Sequence, residues 1–217
     1  IGHNTLVTQD FATSTDTFNT AVGFQAGNGV TTGVRNTLIG SLAGDALSDA
    51  DFNVALGVNC LATDTLGSKT TAIGSNALFS QNFTTATDTF NTAVGFEAGA
   101  AMTTGLSNTL IGGLAGDSLT DADNNTAVGT ATLITDSLGS HSTAVGESAL
   151  RRQNFTTATS TFNTAVGSSA GAFVTTGVRN TLIGGGAGDA LTDADFSVAI
   201  GDFALSSDTL GSKSVAI

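Results

Sequence analysis

Carboxylates are the most regular chemical groups in this chain. Asp45, Asp49 and Asp51 lie in GDALSDAD at 44–51, Asp117, Asp121 and Asp123 in GDSLTDAD at 116–123, and Asp189, Asp193 and Asp195 in GDALTDAD at 188–195. Several carboxylate and carbonyl oxygens on a loop are what calcium requires, so these nine residues are the candidate metal ligands. The same residues can cap turns by accepting hydrogen bonds from local backbone N–H groups, and neither the EF-hand pattern nor the GGxGxDxUx calcium-roll text is present. Both readings stay open.

Nucleophilic or acid–base chemistry finds less support. The single Cys60 occupies an offset that holds alanine in nearly every other copy, which reads as a small buried apolar residue. His3 aligns with Ser75 and Glu147, and His141 with Lys69 and Lys213, so neither histidine recurs. General acid–base work needs a deep pocket, and the expectation is that the chain is not an enzyme.

The elements that must carry these residues are repeats. NTAVG at 19–23 is followed by NTLIG at 36–40, NVALG at 53–57 and TTAIG at 70–74. Variants continue at 91–95, 108–112, 125–129, 142–146, 163–167, 180–184 and 197–201, and SVAI closes the chain at 214–217. The step is 17 residues three times and then 21, which divides residues 1–217 into three units of one solenoid segment, 2–73, 74–145 and 146–217. Each motif is short, rich in Thr, Val, Ile and Leu, and closed by Gly, which reads as a brief strand ending in a turn. Stacked at ~4.8 Å, twelve such coils make a body roughly 60 Å long. The expected fold is all-β, a parallel β-roll or β-solenoid of 17-residue coils with every fourth of 21.

Composition narrows the partners. A net charge of −12 with only six Lys and Arg argues against nucleic acid. No apolar run approaches the roughly 18 residues of a membrane helix, and no membrane contact is expected of this segment. The chain begins with Ile and spans whole repeats, so it reads as an interior piece of something longer.

Side chains alternate along a strand, so in NTLIG Thr37 and Ile39 face one way and Asn36, Leu38 and Gly40 the other. Both sides carry apolar groups, as in a strand covered on both faces. The expectation is that Thr20/Val22, Thr37/Ile39, Val54/Leu56 and Val198/Ile200 line the interior. Leu38, Leu110 and Leu182 would then form an outward contact between chains. Asn or Ser opens almost every motif, so polar side chains should stack in a ladder, each amide bonding its neighbour. Val30, Met102 and Val174, each just before the TTG that precedes an NTLIG, are expected to face inward. The 21-residue coils carry paired aromatics, Phe11 and Phe18, Phe83 and Phe90, Phe155 and Phe162. Phe11, Phe83 and Phe155 are candidate receptor-facing residues of an emergent loop, or else fold back to cap it.

This motif text resembles the head repeat of trimeric autotransporter adhesins of the YadA type, whose signature is NSVAIG. Phe196-Ser197-Val198-Ala199-Ile200-Gly201 and Lys213-Ser214-Val215-Ala216-Ile217 match it nearly letter for letter. Similar runs occur in bacteriophage tail fibres. The resemblance implies a left-handed β-roll forming a side-by-side homotrimer, Val and Ile inside it, and a host-cell or matrix receptor outside, on a bacterial surface or virion fibre. Family coils commonly run about 14 residues, shorter than these. Two alternatives remain: a self-assembling extracellular filament or matrix protein, and a monomeric calcium- or ice-binding solenoid.

Overall fold

The computed structural model describes residues 1–217. Twelve of the motif segments, from Thr20–Val22 to Val215–Ala216, form one parallel sheet in chain order, and no helix is present. Equivalent residues sit side by side: Thr37 beside Thr20 and Val54, Leu38 beside Ala21 and Ala55, Ile39 beside Val22 and Leu56. The chain is thus a β-solenoid whose coils follow the 17-residue step of the text. Each motif closes on a glycine because nothing larger fits. Gly40 has φ +141°, and a Cβ there would stand 2.1 Å from the carbonyl oxygen of Gly57 in the next coil.

Turns make up most of each coil. Of 124 backbone–backbone hydrogen bonds only 24 lie within the strands, so most of the backbone pairing is outside them. Much of it runs from coil to coil, as in Gly44 N–H to the Cys60 carbonyl (3.0 Å) and Leu61 N–H to the Ala77 carbonyl (3.0 Å). The 21-residue coils add a two-residue strand to their neighbours, Thr87–Asp88 beside Gly67–Ser68 and Thr159–Ser160 beside Gly139–Ser140.

The facing of the strands is the reverse of the expectation. Leu38, Leu110 and Leu182 are fully buried in the chain's own core, together with Ala55, Ala72, Ala93, Ala127, Ala144, Ala165 and Ala199. They are not a contact between chains. Thr20/Val22, Thr37/Ile39, Val54/Leu56 and Val198/Ile200 line the outside instead, with Ile111 and Ile183 about 39% and 38% exposed. Val and Ile in the interior, as the family resemblance implied, is overturned with them.

The reason is space. A 17-residue coil encloses so little volume that a leucine on the strand must meet glycine on the opposite wall. Leu38 lies against Gly27 and Gly44, where an added Cβ would stand 2.6 and 2.8 Å from its methyl carbons. Leu110 is placed in the same way against Gly99 and Gly116, and Leu182 against Gly171 and Gly188. Where the strand offers alanine, the opposite wall offers leucine: Leu61, Leu78, Leu133 and Leu150 are all fully buried. A column of Ile or Val on every strand has no such complement. Val30, Met102 and Val174 are inward as expected, and so is Cys60 among the small residues Ala26, Ala43, Ala77 and Ala98.

Asparagine also points inward. The Asn36 Oδ1 accepts from Asn53 N–H (2.9 Å), and its Nδ2 donates to the Ala50 carbonyl (2.7 Å). Asn53, Asn91, Asn108, Asn125, Asn163 and Asn180 repeat both bonds. The ladder therefore runs mainly from side chain to backbone, where amide-to-amide stacking was expected. It satisfies backbone groups that a narrow interior would otherwise leave unpaired.

Candidate interaction face

The carboxylate triplets do not converge. No group of three His, Cys, Asp or Glu residues is arranged to hold a metal ion. Instead the triplets bond across coils. Asp51 Oδ1 accepts from Val34 N–H (2.8 Å) and Asp49 Oδ1 from the Thr32 hydroxyl (2.6 Å). Asp123 and Asp121 do the same to Leu106 and Thr104, and Asp195 and Asp193 to Val178 and Thr176. Asp45 and Asp117 stand apart from these bonds. Burial pushes their carboxyls up from the ordinary value, and the charge of Glu97 adds to the effect at Asp117. Asp189, their counterpart, lines a small recess with Phe173, Ala190 and Thr192, and its Oδ1 is buried without a hydrogen bond.

Of the two readings of the insertion aromatics, folding back fits one member of each pair. Phe83 and Phe155 are 7% and 6% exposed and Phe11 is half-buried, so these three are covered by the chain itself and are not receptor-facing. The extra residues Thr84, Thr85 and Ala86 do emerge as a loop. Burial of Phe83 follows from a carboxylate. Asp64 Oδ1 accepts from both Phe83 N–H (3.0 Å) and Gly67 N–H (3.1 Å), and Oδ2 accepts from Gln81 Nε2 (2.7 Å). Gln81 in turn accepts from Asn91 Nδ2 (2.9 Å). Asp136, Gln153, Phe155 and Asn163 repeat the arrangement one unit later. The signal was in the text, since TDTLGSK at 63–69 and TDSLGSH at 135–141 each precede an insertion coil, but an Asp three residues before a Gly is read first as turn punctuation.

The sheet leaves one long face exposed. Its central columns are Thr (or Val) at the second motif position and Val, Ile or Leu at the fourth, and Phe24, Val58 and Phe96 lie exposed just past the motif glycine. A further column borders it at the residue before each inward Asn, Ser or Thr. It reads Phe18, Arg35, Phe52, Lys69, Phe90, Ser107, Asn124, His141, Phe162, Arg179, Phe196 and Lys213, all with φ between +51° and +64°. The Arg35 guanidinium lies 5.9 Å from the Phe18 ring and 5.1 Å from Phe52, and Arg179 lies 5.8 Å from Phe162 and 5.4 Å from Phe196. Lys69 is 5.3 Å from Phe90 and pairs with Asp88, while His141 rests on Phe162 at 5.1 Å. Each exposed cation–ring contact is worth about 0.5–1 kcal/mol. Sequence reading noted Phe18, Phe90 and Phe162 but not this column, because its members differ in type from coil to coil.

Comparison of the chain with protein-family models, with curated proteins and with solved structures found no match.

Proposed function

We propose that the chain is the structural and adhesive segment of a trimeric surface fibre, an adhesin head or a phage fibre, giving reach and receptor binding without catalysing a reaction. The observation that carries this reading is the outer face of the sheet. Val22, Leu56, Ile111, Val166, Ile183 and Ile200 stay exposed along the stack although the interior is already full. Twelve strands at ~4.8 Å make the face about 50 Å long, and the columns give it a width of roughly 15 Å. A face of that size is close to the ~800 Å² that each partner contributes to a standard interface, and the Val/Ile/Leu column is its apolar part. Companion copies of the chain covering the Val/Ile column complete the assembly. The resemblance of the motif to adhesin head repeats agrees with this and adds an extracellular setting.

Sedimentation equilibrium at micromolar concentration tests it, with a mass of three 21.4 kDa chains expected. The variant carrying Ile39→Asp, Ile111→Asp and Ile183→Asp should keep its circular dichroism and dissociate, because it places charges in a dry contact. A monomeric wild type, or a variant still trimeric, overturns the proposal.

A second reading uses the same face. Nine of the twelve second motif positions are Thr, in register and outward, which suits a monomeric ice-binding solenoid. A monomer showing thermal hysteresis would establish it.

A further inference from the structure

Resting on the adhesive reading above, we propose that the column bordering the sheet face binds a linear anionic polysaccharide, at two stretches per chain, 18–69 and 162–213. The first support is charge placement. The chain carries 18 Asp and Glu against six Lys and Arg, yet four of those six, Arg35, Lys69, Arg179 and Lys213, stand in this one column. It is a cationic strip on an acidic body, and it gathers a polyanion locally while the rest of the surface repels one.

The second support is what the arginines do not do. Arg35 and Arg179 form no ion pair with any of the chain's carboxylates; the one salt bridge present joins Lys69 and Asp88. Each guanidinium carbon instead lies over two phenyl rings, 5.1–5.9 Å from their centroids. Held so, a guanidinium keeps its N–H edge free for bidentate capture of a carboxylate or sulfate.

The spacing then selects the ligand. Rings and cations alternate from coil to coil, so successive cations lie about 10 Å apart along the axis, the length scale of a disaccharide. A polysaccharide running along the stack sets an acidic group on each cation and the apolar face of the intervening sugar on each Phe ring. The middle unit, Phe90, Ser107, Asn124 and His141, lacks Lys and Arg and separates the two stretches. Polyphosphate and single-stranded nucleic acid carry a denser charge, which a net −12 opposes more strongly.

The test is calorimetric titration of the 217-residue chain with size-defined hyaluronan and chondroitin sulfate oligosaccharides, which separates carboxylate from sulfate recognition. Polyphosphate and a single-stranded oligonucleotide are the charge-only controls. Binding at two sites per chain is expected. A loss of at least about tenfold is expected in both R35A/R179A and F52A/F196A, with sedimentation mass and circular dichroism unchanged. No oligosaccharide binding by the wild type overturns the proposal. So does equal binding of the controls with no effect of F52A/F196A, and so does dissociation of the assembly by R35A/R179A, which would make the column a contact between copies. A monomeric wild type that binds oligosaccharide through these residues would overturn the trimer alone.

Discussion

At the scale of single residues, Asn108 shows how one side chain links coils. Its Oδ1 accepts from Asn125 N–H (2.9 Å) and its Nδ2 donates to the Ala122 carbonyl (2.8 Å), both in a dry interior. Leucine nearly matches asparagine in shape but leaves both backbone groups unpaired, at about 1–3 kcal/mol each. Asn108→Leu should therefore lower stability by about 2–6 kcal/mol, read as a fall in the thermal midpoint by circular dichroism. Asp117 works in the opposite sense. Its carboxyl is raised by burial first and by Glu97 second, so the folded state disfavours the charged form. Below the unfolded carboxylate range both states are protonated and nothing is lost. As pH rises from there through the raised folded value, stability falls, and the loss persists to neutrality. Asp117→Asn should raise the thermal midpoint at neutral pH, and the gain should vanish near pH 3. Cys60, its thiol pushed up to about 12 by burial, should resist alkylation in the folded chain at neutral pH and react once unfolded.

At the scale of elements, strand and opposite wall exchange volume. Leu110 points at Gly116, whose added Cβ would stand 2.8 Å from a Leu110 methyl carbon. Leu110→Ala should cost about 2–5 kcal/mol through the cavity it leaves. Gly116→Ala should also destabilise, by collision and by the +60° φ at that position. The double variant should be more stable than the sum predicts by about 1 kcal/mol, since the new methyl enters the vacated space. Strict additivity in chemical denaturation would contradict the exchange. This exchange is written in the sequence: Leu at 38, 110 and 182 is flanked by Gly at the fourth residue after the motif glycine, where other coils carry Leu. Period-two alternation alone could not show it, because each face of the strand carries apolar groups.

At the scale of the molecule, each unit interacts mainly with its neighbours, so units should be interchangeable. Deleting residues 74–145 joins 73 to 146 in register and brings Asp64 to Gln153 and Phe155, as Asp64 now meets Gln81 and Phe83. The shortened chain should fold with unchanged circular dichroism per residue, while a deletion five residues shorter should not. Failure of the in-register deletion would mean that the units are not equivalent. The same near-linear build makes the outer side of the sheet one long continuous face, on which the proposed assembly and the aromatic–cation column both depend.

The text by itself determined the parallel stack, the strand positions, the register and the glycine closing each motif. Near-identical segments at a fixed step pair equivalently in only one alignment, and the positive φ at the closing turn excludes a side chain. Only the tertiary structure decided which face lies inside. Alternation has a period but no sign, and the sign was set by how little a 17-residue coil can enclose: alanine against leucine, or leucine against glycine, with asparagine filling the remaining polar needs. It also decided that the carboxylate triplets spread along coils without meeting, that Phe83 and Phe155 turn inward onto the bonds of Asp64 and Asp136, and that arginines distant in sequence stand in one column. Each of these depends on contacts between coils, which no single stretch of sequence contains.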